Sequence, residues 1–129
     1  MAIKKRPWLR QRLLPLVLEW GDFRFACAKL KRPATDEPAL NGQIRRRAAF
    51  EAIITATRPE EIVETGTYRG ATTAFLSQRF GLPVYSVERN RYFYLYSKLR
   101  LLPHWRTHVR HGDSRELLLA RQELGARGA

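Results

Sequence analysis

From Glu61 onward, short apolar runs alternate with longer amphipathic ones, and turns carrying glycine, proline or acid separate them. Ile62 and Val63 form a short strand core that runs into Gly66. Gly70 to Phe80 has helical spacing, with Ala71, Ala74, Phe75 and Leu76 predicted inward, and Gly81 stands where a glycine ends a helix. Pro83 to Glu88 reads as a second strand with Val84, Tyr85 and Val87 at its core. Arg91 to Leu102 is predicted as a helix packing Tyr92, Leu95, Tyr96 and Leu99, closed by Pro103. Thr107 to Arg110 is a third, weaker strand, and Ser114 to Leu124 a third helix with Leu117, Leu118 and Leu119. Strands and helices in such alternation predict parallel strands joined by crossovers, hence an open α/β sheet.

The first 40 residues have a different pattern. Leu13, Leu14, Val17, Leu18 and Trp20 suit an amphipathic helix, kinked or begun near Pro15. A polar turn follows at Lys31 to Pro38. Asn41-Gly42 then predicts a helix start, and Ile44, Ala48, Phe50, Ala52 and Ile53 give it a loose apolar face that ends before Pro59. The organisation predicted is a basic helical extension over 1–40 and an α/β domain over 41–129. Lys4-Lys5-Arg6 and Ala26-Cys27-Ala28 mimic the two ends of a secretory leader, but Arg10, Arg12 and Pro15 interrupt the apolar run between them. What remains uninterrupted is too short for a leader core or a membrane span.

Composition narrows the class. With 129 residues, 44% hydrophobic, the chain can bury one sizeable core. One cysteine, Cys27, cannot build a disulfide framework, so a reducing cytoplasm is the expected compartment. His104, His108 and His111 lack partners at metal-ligand spacing, so no metal site is assigned. The net charge of +12 favours an anionic partner such as nucleic acid or a membrane surface. However, 19 of the 24 basic residues are arginine, spread along the whole chain, which reads more simply as compositional bias and a solvated basic face.

Chemistry is expected where the strands end, because an open α/β sheet binds ligands beyond the carboxyl ends of its strands. The predicted ends carry Glu64, Glu88 and Asp113, three of only 12 acidic residues. Three carboxylates on one rim of a basic protein suit a ligand with hydroxyls and with positive or donor groups. After the first strand runs Glu64-Thr65-Gly66-Thr67-Tyr68-Arg69-Gly70. Gly66 permits a tight turn and close ligand approach. Gly70 opens a helix whose free N–H groups, around Ala71 to Thr73, can hold a carboxylate, with Thr72 adding a hydroxyl. Glu88 lies 22 residues beyond Gly66, where an acid can accept both ribose hydroxyls. Two glycines alone fit many strand-to-helix turns; loop, acid and Gly112-Asp113 in order are the sharper signal. The spacing is G-x-x-x-G rather than the dinucleotide G-x-G-x-x-G, and Gly-Lys-Ser/Thr is absent. An acid two residues before the first glycine would repel a pyrophosphate but accept an ammonium or sulfonium.

The segment Ile62 to Gly70 resembles motif I of class I S-adenosylmethionine-dependent methyltransferases, and its E-x-G-T-Y-x-G form is similar to the small-molecule O-methyltransferase variant. Val84-Tyr85-Ser86-Val87-Glu88 resembles the second-strand motif of that family, and His111-Gly112-Asp113-Ser114 the motif after strand three. The resemblance spans about residues 43 to 120. It implies a Rossmann-like domain with S-adenosylmethionine as cofactor and a methyl acceptor such as a small-molecule hydroxyl. By position, Glu64 would meet the methionine amino end, and Gly66, Thr67 and Tyr68 would line methionine and ribose. Gly70 and Thr72 would belong to the docking loop and helix start, Glu88 would bind the ribose hydroxyls, and Asp113, beside Ser114, the adenine amino group. Family members continue into a fourth strand and beyond, where acceptor pocket and catalytic base reside, so no catalytic residue is assigned. The chain reads as a truncated product or fragment, or as one whose sheet is completed by self-association or a partner, leaving its first strand as an apolar edge. The competing class is a non-catalytic basic module for nucleic acid or an anionic surface, using Arg10, Arg12, Arg24, Arg45, Arg46 and Arg47.

Overall fold

The computed structural model describes residues 7–31 and 38–128, and side chains within 18–31 and 38–125. The chain divides into two compact units, 1–32 and 33–129. In the first, α1 runs from Pro7 to Leu30. Proline is well placed at the first helical position, where its missing N–H removes no bond. The helix passes through Pro15, which is therefore not its start. Arg24 lies over the Trp20 ring and Lys29 over Phe25, each four residues on, as neighbours on a helix surface do. The side chains of Leu13, Leu14 and Val17 and most of the polar turn at Lys31 to Pro38 lie outside the described residues.

The second unit opens with a 3-10 turn, Ala39–Gly42, and continues with α2 (Ile44–Thr57), β1 (Ile62–Thr65), α3 (Ala71–Phe80), β2 (Val84–Glu88), α4 (Arg91–Arg100), β3 (Thr107–His111) and α5 (Ser114–Gly128). The strands form one parallel sheet in the order β1-β2-β3. This is the open α/β sheet expected from the alternating pattern, in the partial Rossmann-like form that the motif resemblance implies. Ile62 pairs in register with Val84, and Val84 with Thr107. Side chains alternate along a strand, so Ile62, Glu64, Val84 and Ser86 share one face while Tyr85 and Val87 share the other. On the first face Leu76 of α3 packs with Ile62 and Val84, and Phe50, Ile54, Phe75, Phe80 and Leu82 close around them. Burying a side chain such as Leu76 contributes roughly 1.5–3 kcal/mol. On the second face α5 lies along the sheet, with Arg121 over the Tyr85 ring and paired with Glu61 at 3.4 Å.

Several boundaries and faces differ from the sequence reading. Asn41 and Gly42 do not start a helix. Leu40, Asn41 and Gly42 hold positive φ in the 3-10 turn, and α2 begins at Ile44. Phe50 and Ile54, not Ile44 and Ile53, face the core of the unit; Ile44 is 80% exposed. In α4 the buried stripe is Phe93 and Ser97, continued by Leu101, while Leu95 and Leu99 are exposed. In α5 Leu117 is buried and Leu118 and Leu119 are exposed. The third strand stops at His111, so Asp113 follows it by two residues.

Candidate functional site

The carboxyl ends of all three strands open on one rim. A cleft of about 230 Å³ is lined there by Thr65, Gly66, Val87, Glu88, Arg89, Gly112, Asp113 and Ser114. Four residues singled out from sequence, Gly66, Glu88, Asp113 and Ser114, therefore meet at one place. A smaller recess of about 120 Å³ adjoins it between β3 and α5 and shares Val87, Gly112 and Asp113.

Glu88 ends the central strand. Its Oε2 accepts the backbone N–H of Tyr68 at 2.7 Å, and its Oε1 that of Asn90 at 2.8 Å. One carboxylate thus ties the glycine loop to the turn that starts α4. Two oxygens offer about four lone-pair positions, so acceptor capacity remains for ligand hydroxyls. Asn90 caps α4, its Oδ1 accepting from the N–H groups of Tyr92 and Phe93. His111 Nε2 lies 3.0 Å from the Arg89 carbonyl and fixes the same turn.

The loop between β1 and α3 is folded back on β2. The N–H groups of Gly66 and Thr67 both donate to the Val87 carbonyl at 3.1 Å. Gly66 has φ 105°, and a side chain there would enter open space. Tyr68 takes φ 50°, and its ring leans on Phe93 at 4.6 Å between centroids. Gly70 is buried, with φ 80°. A Cβ on it would meet Leu101 at 3.1 Å, so it serves the close approach of α3 to α4. Its N–H donates to the Thr67 carbonyl at 2.9 Å. Thr72 Oγ1 accepts the Leu40 N–H at 3.0 Å and so holds the 3-10 turn, while its own proton is left to donate. No side chain caps α3.

Glu64 lies beneath this loop, outside the cleft lining. Its Oε2 accepts from Thr73 Oγ1 at 2.5 Å and from Ser86 Oγ at 2.7 Å. Burial pushes its carboxyl above the ordinary range, against the lowering effect of those two hydroxyls, and Glu88 adds to the rise. Asp113 behaves oppositely. Arg115 grips it with its backbone N–H at 2.9 Å and its guanidinium at 3.2 Å to both oxygens. Those hydrogen bonds hold Asp113 below the usual carboxylate range. In this position Asp113 also caps α5.

The sequence motifs give no role to the side chains of Thr73, Ser86 and Asn90. Asn90, polar and just ahead of a helical pattern, carried a capping signal. Thr73 and Ser86 carried none, because a hydroxyl inside an apolar stripe looks the same whether or not it has a buried partner.

No family model and no curated protein matches the chain. Seven chains among solved structures do. One of them is an O-methyltransferase, by provisional assignment, from Klebsiella pneumoniae. It is 16% identical, with a TM-score of 0.51 over 87% of this chain and 51% of that one. The chain spans about half the length of that relative. At this identity the likeness is one of fold alone, an open parallel α/β sheet flanked by helices.

Proposed function

We propose that this chain is the cofactor-binding portion of a class I S-adenosylmethionine-dependent methyltransferase. The observation that carries the reading is the single cleft in which Gly66, Glu88, Asp113 and Ser114 meet at the ends of parallel strands. Glu88 would accept the two ribose hydroxyls, and Asp113, beside Ser114, the adenine amino group. Gly66, Thr67 and Tyr68 would line the ribose and methionine. The uncapped start of α3 would take the methionine carboxylate on its N–H groups, with the Thr72 proton beside them. The cofactor supplies an electrophilic methyl on sulfonium; these residues bind and orient it, and the motif resemblance extends the reading to a hydroxyl acceptor.

Calorimetric titration of the chain with S-adenosylmethionine and with S-adenosylhomocysteine tests this. Both are expected to bind. Glu88→Ala removes charge-assisted bonds worth about 2 kcal/mol, so affinity should fall roughly thirtyfold. Absence of binding by a folded sample, or equal binding by Glu88→Ala, would sink the proposal.

A further inference from the structure

The family motif puts Glu64 against a ligand, yet Glu64 does not line the cleft. Its partners are two fully buried hydroxyls, Thr73 and Ser86, both on Oε2. Ser86 Oγ also lies 2.6 Å from Thr67 Oγ1. A hydroxyl has one proton to give. Ser86 spends its proton on Glu64, so Thr67 must donate to Ser86. The chain of bonds therefore runs from Thr67 through Ser86 to the Glu64 carboxylate, which Thr73 meets from α3. Thr67 sits one residue before Tyr68, whose N–H seats Glu88. Fixing the Thr67 side chain thus fixes the amide that orients the ribose-facing carboxylate.

We propose that Glu64 is a positioning residue: with Ser86 and Thr73 it anchors Thr67 and so sets the 66–70 loop against Glu88. Its charge matters because a hydrogen bond to an ionised acceptor is roughly twice as strong as one to a neutral acceptor. Protonating Glu64 slackens every link. Of the elements around it, β2 presents Glu88 as a charge, while α3 and the loop present the hydroxyls of Thr73 and Thr67.

The test has two arms. In the free, isotope-labelled chain, the Glu64 carboxyl carbon, identified by its loss in Glu64→Gln, is followed by NMR from pH 5 to 8. The Thr67 and Tyr68 amide signals are followed beside it. They should titrate with the Glu64 midpoint. Thr73→Val, which leaves Glu88 and Thr67 untouched, should raise that midpoint by about one pH unit for all three signals. Thr73→Ser should restore it. The second arm rests on the adenosyl reading. S-adenosylhomocysteine carries an ammonium and 5′-methylthioadenosine does not. An anchor makes both lose affinity at the same midpoint, and Thr73→Val shifts both. A direct contact makes only the ammonium-bearing ligand respond. Loop amides that stay flat while Glu64 titrates, or a shift confined to S-adenosylhomocysteine, overturns the proposal. If neither ligand binds, the adenosyl reading falls, and the first arm still decides whether Glu64 anchors the loop.

Discussion

Glu64, in the first strand, and Asp113, two residues past the third, have opposite linkage. For Glu64, burial outweighs the hydroxyls of Thr73 and Ser86, so the folded chain holds the proton more tightly than the unfolded one. Its contribution to stability is therefore present below the ordinary glutamate value and is lost as pH rises through the higher folded value. Glu64→Gln, which mimics the protonated state, is expected to raise the melting temperature at pH 7. The gain should narrow as pH falls toward 4.5, the ordinary value. Thermal melts of both proteins across that range check it, and a lower melting temperature for Glu64→Gln at pH 7 would show the sign to be wrong. Together with the loop-anchoring role, this makes a single substitution that stabilises the chain while weakening its loop, the usual direction of a stability–function trade-off. Asp113 is the reverse case. Arg115 depresses its pKa, so its contribution is present above the ordinary aspartate value and is lost as pH falls through the folded one. The Arg115 side chain is 86% exposed, and salt screens the pair.

At the scale of elements, the loop after β1 depends on how closely α3 and α4 approach. Gly70 has left-handed φ, and its missing Cβ leaves room for Leu101 and for Ser97, which would stand 3.5 Å away. Gly70→Ala therefore meets both backbone strain of roughly 1–2 kcal/mol and a side chain that must give way. A fall in melting temperature of about 5–15 °C is expected, measured by circular dichroism. A stability equal to that of the native chain would mean the helices can part without loss. The same contact explains what could and could not be read from the sequence. The strands were legible because their apolar cores are short and glycine or acid punctuates each end. The buried stripe of α4 was not. Tyr92, Leu95, Tyr96 and Leu99 form a more apolar helical row than Phe93, Ser97 and Leu101. The small Ser97 faces inward because the loop at Gly70 approaches it closely. A hydrophobic count cannot see that requirement. Within the candidate site, Glu88 and the Gly112–Ser114 turn were readable as strand-end chemistry. The Thr67–Ser86–Glu64–Thr73 chain was not, since its members sit nine, 19 and 22 residues apart along the chain and meet only where α3 and the loop close on the first two strands.

Over the whole molecule, two fields of recognition compete for the same charge. A net +12 attracts polyanions at long range, and such binding weakens steeply with salt, because each counterion released gains less entropy as the bulk ion concentration rises. Among the described residues no helix is long and apolar enough to cross a membrane. Arg47, one of the arginines that would serve a nucleic-acid surface, lies over the Phe75 ring and so also contributes to packing. On the adenosyl reading proposed above, the cleft would recognise by another means: strand-end carboxylates acting over a few ångströms on a ligand with small net charge. Short-range hydrogen bonds of this kind respond weakly to ionic strength. Between 50 and 200 mM salt, affinity for S-adenosylhomocysteine is expected to change by less than about twofold. If six or more phosphates are neutralised, affinity for a mixed-sequence DNA duplex should drop by roughly a thousandfold or more. Calorimetry for the first and fluorescence anisotropy for the second compare them in one buffer series. A DNA affinity that is tight and nearly flat with salt would place nucleic acid, and not the adenosyl group, as the ligand this fold is shaped for.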